Sequence, residues 1–336
     1  MTATATGDRD DVSENAATTA PARSPAQARR RRPRTGADPL FRWLAGAAAA
    51  TILILVVGLF VELVRGSRLS LVRFGWKFLI SDAWNPVTQQ FGAVSSIFGT
   101  LVSTLIAMAI AVPLSAAIAL FLVELAHPAV SRVAGTAIEL LAAVPSIIYG
   151  MWGLFVFAPF MADHVQPLLA KTLGGLPLFS GPPMGIGMLT AGIILAFMIL
   201  PYMSSVMRDV FRMVPAVLKE SAYGMGATTW EVTRKVTVRY GLQGLVGALF
   251  LGLGRAIGET MAVTFVIGND HGVSASLFAA GNSIASTLAN EFSEASEPLY
   301  LSALVELGLI LFVVTFVIQV LTQLWLARLQ RRTGSL

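Results

Sequence analysis

Six runs of apolar residues dominate the chain, at about 43–64, 98–123, 140–160, 186–206, 242–268 and 299–326. Each supplies the roughly 20 residues that a helix needs to cross a hydrocarbon core about 30 Å thick. Lipid offers no hydrogen bonds, so a spanning segment must satisfy its own backbone, and a helix does this alone. The pattern predicts an all-α integral membrane protein with six transmembrane helices. Pro113, Pro145 and Pro201 fall inside the second, third and fourth runs, where they are expected to kink spans that neighbouring helices repair. Residues 1–40 show no apolar periodicity and are rich in Thr, Ala, Ser, Pro and Arg. They read as a disordered basic tail, ending in Arg29, Arg30, Arg31, Arg32 and Arg34 beside the first span.

Six crossings put both termini on one side. Eighteen of the 24 Lys and Arg residues then share that side, five lie opposite, and Arg255 sits inside a run. The bias places both termini in the cytoplasm. Arg65, Arg68, Arg73 and Lys77 run against it in the first opposite loop. That loop is expected to lie along the membrane surface, with Trp76 and Trp84 as interfacial anchors. The opposite segment 269–298 carries Asp270, Glu291, Glu294 and Glu297 and no Lys or Arg.

Composition agrees with lipid as the solvent. Of 336 residues, 55% are hydrophobic and only 13% charged, about half the charged share of soluble domains. A cytosolic enzyme and a secreted binding module are excluded. There is no cysteine, which removes disulfides, thiolate catalysis and iron–sulfur or cysteine–zinc sites. The three histidines lie far apart without metal-ligand spacing, so neither a metal nor a catalytic set is expected. The net charge of +5 reports topology and not nucleic-acid binding. No G-x4-G-K-[ST] segment is present, so ATP would have to bind elsewhere.

Two segments carry candidate chemistry. In the cytoplasmic loop 207–241, Pro215 opens a new helix and Gly224 and Gly226 turn the chain, which predicts two short helices joined by a glycine turn. In the fifth run, Arg255 and Glu259 are four residues apart and would share one helical face. Ions inside a membrane cost at least about 2.5–3.5 kcal/mol, so a retained pair calls for a polar cavity or a partner. Gly254 and Gly258 form a small-x3-small ridge that admits a second helix. Two readings stand: the ions neutralise each other between helices, or Glu259 steadies a guanidinium that Arg255 presents to a crossing anion. Thr260 can offer its hydroxyl to the same anion, although a helical threonine usually bonds its own backbone.

Glu220-Ser221-Ala222, followed after three residues by Gly226, resembles the EAA loop of ABC importer permeases. Ser221 replaces an alanine, and Val236, Val238 and Arg239 stand where that motif ends in I-x-L-P. The string RAIGETMAV, residues 255–263, looks like the fifth-span signature of the PstC-type permeases of phosphate importers, and Pro145-Ser146-x3-Gly150 matches as well. The resemblance covers about residues 40–330. It implies a transmembrane permease domain over 41–330, a transport subunit and not an enzyme, in the plasma or inner membrane and without a cofactor. It implies that Arg255, Glu259 and Thr260 line the phosphate path, while Glu220, Ser221, Ala222 and Gly226 couple to an ATPase. The implied partners are a second, PstA-like permease, two ATPase subunits, an extracytoplasmic phosphate-binding protein and membrane lipid, with no nucleic acid. A permease for sulfate or molybdate, an ion-coupled secondary transporter using Arg255, Glu259 and Glu306, and a non-transporting scaffold are the alternatives.

Overall fold

The computed structural model describes residues 37–333. The arginine-rich part of the predicted tail lies outside the described residues, and from Ala37 onward the chain is already helical. Among the described residues six helices are long and apolar enough to span a membrane: Pro39–Gly66, Val94–Leu125, Ser146–Leu173, Met188–Arg212, Thr229–Ile257 and Pro298–Arg328. They are called spans one to six. The chain divides after Leu55 into two units. The first contributes the opening of span one, a run of exposed apolar residues.

Span four is the centre. Ala191, Ile194, Leu195, Ile199, Met203 and Phe211 along it are buried. Against it lies a face of span two made of small residues, with Gly99, Ser103, Ala107, Ala111, Ser115 and Ala119 all buried. Lipid tails are as apolar as leucine, so helices in membranes associate through close backbone approach and shared hydrogen bonds. Both occur here: a Cβ on Gly192 would stand 2.6 Å from Ile106, and Ser115 Oγ donates to Leu200 O at 3.1 Å. Pro113 and Pro201 are carried inside continuous helices, as predicted.

Pro145 is not. A separate helix, Pro128–Ala142, ends before it, and Pro145 takes an extended ψ of 137° at the N-cap of the next helix. A proline within a helix removes one hydrogen bond and crowds the preceding turn. Here the chain breaks instead, so span three starts at Ser146 and not near 140. Span five is also shifted. It starts at Thr229 and stops at Ile257, well before 268, with Gly258 as its C-cap. The predicted second short loop helix is therefore the first turn of span five, begun by a capping box between Thr228 and Glu231.

The segments flanking spans one and six fold together at the end of the molecule away from the 207–241 loop. Phe78, Phe91 and Tyr300 pack in one cluster there. Trp84, predicted as a lipid anchor, stacks on His271 with ring centres 5.2 Å apart. Glu291, at the end of the helix Ile284–Glu291, accepts hydrogen bonds from Trp84 Nε1 at 2.6 Å, Tyr300 Oη at 2.7 Å and His271 Nε2 at 2.7 Å. Burial pushes this carboxyl up, but the bonds from His271, Tyr300 and Trp84 outweigh it and hold it below the usual carboxylate range. Trp76 is 84% exposed.

A lowered carboxylate pKa stabilises the fold above the unfolded value, near 4.3, and the contribution disappears as pH falls through the lowered folded value. The thermal midpoint of the purified protein is therefore expected to drop as the pH falls below about 4.3. Glu291→Gln should lower the midpoint at neutral pH and flatten that acid limb; an unchanged limb would show that the three-donor cluster does not set it.

Candidate functional site

The site grows out of the place where span five ends. Ala256 and Ile257 turn inward and are buried, and Gly252 lets the helix lie against Met203 of span four, where a Cβ would meet Sδ at 2.5 Å. Arg255, on the other side of the same turn, is exposed on this chain. It lies in the last helical turn, where unsatisfied carbonyls favour a cation. After the break at Gly258 the chain makes one more short helix, Met261–Thr264. That turn presses on span three, where a Cβ on Gly150 would approach Met261 O to 3.0 Å and the Phe265 ring to 2.8 Å. Gly150 is the glycine of the Pro145-Ser146-x3-Gly150 segment, and this crossing explains its small size.

The predicted face shared by Arg255 and Glu259 does not form. The helix ends between them, and no ion pair joins them among the described residues. Glu259 Oε1 instead accepts from Ala262 N at 3.2 Å, capping the orphan amides of the short helix. Thr260 directs its hydroxyl to Gly258 O at 3.4 Å, and its own carbonyl accepts from Thr264 Oγ1 at 2.7 Å. What holds the guanidinium is aromatic: Arg255 Cζ sits 5.5 Å from the ring centre of Tyr202 on span four. Tyr149 of span three is within electrostatic reach of it and anchors its own hydroxyl on Leu141 O at 3.0 Å. A cation over a ring face is steadied without being neutralised, so with no hydrogen-bond partner among the described residues the guanidinium N–H donors are available to an anion.

The second candidate cluster is the loop between spans four and five. The helix Ala216–Gly224 carries Glu220 and Ser221 outward and Ala222 inward, the last 7% exposed. Ser221 Oγ bonds back to Val217 O at 2.7 Å. Gly226 takes φ +84°, a left-handed conformation that a side chain resists, which is the turn that the motif calls for. Val217, Tyr223, Met225 and Trp230 project from the loop as large exposed apolar groups.

One connection in this region has no counterpart in the sequence motifs. Glu124, at the end of span two, receives Lys219 Nζ of the loop helix at 2.6 Å and Thr237 Oγ1 of span five at 2.8 Å. The carboxylate is 6% exposed and the lysine 18%. Nearby, Arg208 of span four is buried and pairs with Glu139 of the helix Pro128–Ala142. Glu124 and Glu139 read from sequence only as span-end residues, because each partner is about 70 or more positions away. Tyr202 and Tyr149 look like ordinary apolar-run residues for the same reason.

Known proteins resemble most of this chain. The family model of "Binding-protein-dependent transport system inner membrane component" matches residues 111–334. A Mesorhizobium japonicum protein named phosphate transport system permease protein PstC is 54% identical over 302 residues, 89% of this chain and 92% of that protein. The Haemophilus influenzae protein of the same name is 52% identical, covering 90% and 96%. A Mycobacterium tuberculosis relative, named PstC 1, is 36% identical, covering 88% and 94%. Among solved structures, a bacterial ABC transporter that imports the acidic polysaccharide alginate aligns with TM-score 0.58 at 16% identity, covering 87% of this chain and 98% of that one. At that identity the likeness speaks to the fold.

Breaking the Glu124 connection leaves Lys219 without its partner and Thr237 without an acceptor in a mostly dry site, a loss of about 1–3 kcal/mol. Glu124→Ala should therefore lower the thermal midpoint of the protein by several degrees. Lys235→Ala, which removes an exposed pair with Glu231, should shift it by little, since such pairs are worth about 1 kcal/mol at most. Equal shifts would remove Glu124 from the account.

Proposed function

The chain belongs to the binding-protein-dependent transport system inner membrane components, and from that premise we propose that it is the permease subunit of an ATP-driven importer passing inorganic phosphate into the cytoplasm. The protein is a multi-pass membrane protein and not an enzyme. Both termini and the 207–241 loop face the cytoplasm, and residues 41–330 form the permease domain. An extracytoplasmic phosphate-binding protein delivers the anion, a second, PstA-like permease completes the pathway, and two ATPase subunits supply the energy.

Arg255 carries this reading. Its planar fork matches the oxygens of a tetrahedral oxyanion. On the isolated chain it is exposed within a span, a position that lipid penalises and a water-filled path between two permeases does not. Phosphate, in place of sulfate or molybdate, follows from the names of relatives that are 52–54% identical. Glu259 lines the same break but acts through the backbone, fixing the short helix that follows Gly258. Thr260 lies between them.

Energy enters at the helix Ala216–Gly224. Glu220 and Ser221, with the exposed Val217, Tyr223 and Met225, suit a cleft on an ATPase surface. Ala222 and Gly226 set the close fit and the turn. ATP-driven closure of the two ATPases moves this helix, and spans two and five follow it as rigid elements between outward- and inward-open states.

Uptake of labelled phosphate by cells with the assembled complex tests the substrate role. Arg255→Ala should reduce uptake by roughly 10- to 100-fold, the scale of losing a charge-assisted anion contact, with the complex still present in the membrane. Wild-type uptake by that variant would refute the assignment, and uptake of sulfate with phosphate excluded would replace the substrate.

A further inference from the structure

The stretch between spans one and two has a fixed inner face and an unclaimed outer one. The helix Arg68–Phe74 begins two residues after span one ends at Gly66, and a single turn, Lys77–Ile80, follows. Inward, Ser67, Ser70 and Phe78 are buried. Ser70 N donates to Ser302 Oγ at 3.1 Å, and Ser302 Oγ donates to Gly66 O at 2.7 Å, which holds the helix flat against the end of span six.

Outward, Arg68, Arg73 and Lys77 alternate with large apolar groups. Val72 is 81% exposed, Trp76 84% and Ile80 78%. The three cations, with Leu69, Val72 and Phe74, line an open cleft of about 980 Å³. None of the three enters an ion pair among the described residues.

This mixture suits neither water nor hydrocarbon. In water the apolar groups are wasted, and in hydrocarbon the cations are prohibitive. It does suit the plane where headgroups meet acyl chains. There apolar side chains dip into the boundary, tryptophan prefers the same depth, and lysine and arginine stems lie along the apolar surface with their charges raised. The position fixes that depth, since the helix starts where a full-length span has just ended. The charge fixes the ligand, since unpaired arginines offer parallel donors to a phosphate group.

We infer that the Arg68–Lys77 segment is a binding site for an anionic phospholipid, with the headgroup phosphate held by Arg68, Arg73 and Lys77 and an acyl chain lying along Leu69, Val72 and Phe74. The site is separate from the Arg255 path and does not depend on what the protein transports. Its cations run against the distribution of Lys and Arg along the rest of the chain because they serve a lipid and not the orientation of the spans.

The full complex, reconstituted in phosphatidylcholine nanodiscs, tests this through Trp76. Acyl-brominated lipid quenches a tryptophan that it touches, and the difference between wild type and Trp76→Phe isolates the signal of that residue. Brominated phosphatidylglycerol is expected to quench Trp76 at roughly one-tenth the mole fraction that brominated phosphatidylcholine requires. The triple variant R68Q/R73Q/K77Q should erase the preference, and Arg132→Gln, an exposed cation elsewhere, should keep it. If the triple variant fails to assemble, Arg73→Gln alone should weaken the preference several-fold. Equal quenching by the two lipids in wild type overturns the site. Displacement of the brominated lipid by millimolar inorganic phosphate would assign the cations to free anion and also overturn it. So would weakened capture of the external binding protein by the variants with the lipid preference intact.

Discussion

A guanidinium exposed on a membrane-spanning helix, with no carboxylate partner among the described residues, is the constraint around which the proposed path is arranged. Salt-bridging Arg255 to Glu259 would have closed its donors, and the break at Gly258 prevents that. Span five ends in time to leave Arg255 on its last turn, and Glu259 is spent on capping the short helix beyond. The ring of Tyr202 stabilises the cation without consuming its hydrogen bonds. The break in turn needs support, because Met261–Thr264 is only one turn long. Gly150 supplies it by letting that turn seat on span three.

The same logic extends to both ends of the bundle. At one end Glu124 gathers span two, span five and the loop helix on a single carboxylate. The loop helix is therefore tied to two spans through one side chain, as the proposed coupling role requires. At the other end Glu291 gathers Trp84, Tyr300 and His271, so the segments outside the spans form a cap and not loose loops. Between these two anchors the large buried side chains of span four pack on the serine, alanine and glycine face of span two.

The sequence was most legible where one solvent dictates the pattern. All six spans stand out, because lipid demands long apolar runs whatever the fold. The EAA-like turn was equally readable, since Gly226 occupies a left-handed conformation that local chemistry predicts. Helix breaks were not. Pro113, Pro145 and Pro201 look alike in the sequence, and only packing decides that the first and last lie inside a continuous helix while Pro145 stands between two. The shared face of Arg255 and Glu259 assumed a continuous helix and failed for the same reason. Long-range partners were invisible too: Glu124 with Lys219, Glu139 with Arg208 and Trp84 with His271 join positions that no local pattern connects.

The chain contains no cysteine, which permits a direct test of whether the break beside Arg255 opens to water. Gly258 is exposed, with φ −87° and room for a side chain, so Gly258→Cys can be placed there in the assembled complex. Mass analysis of this chain after treatment with a small anionic, membrane-impermeant thiol reagent reads the outcome. The account predicts labelling that phosphate suppresses. A cysteine that stays unlabelled in every nucleotide state would place Arg255 against a sealed helix interface, and the path described here would not exist.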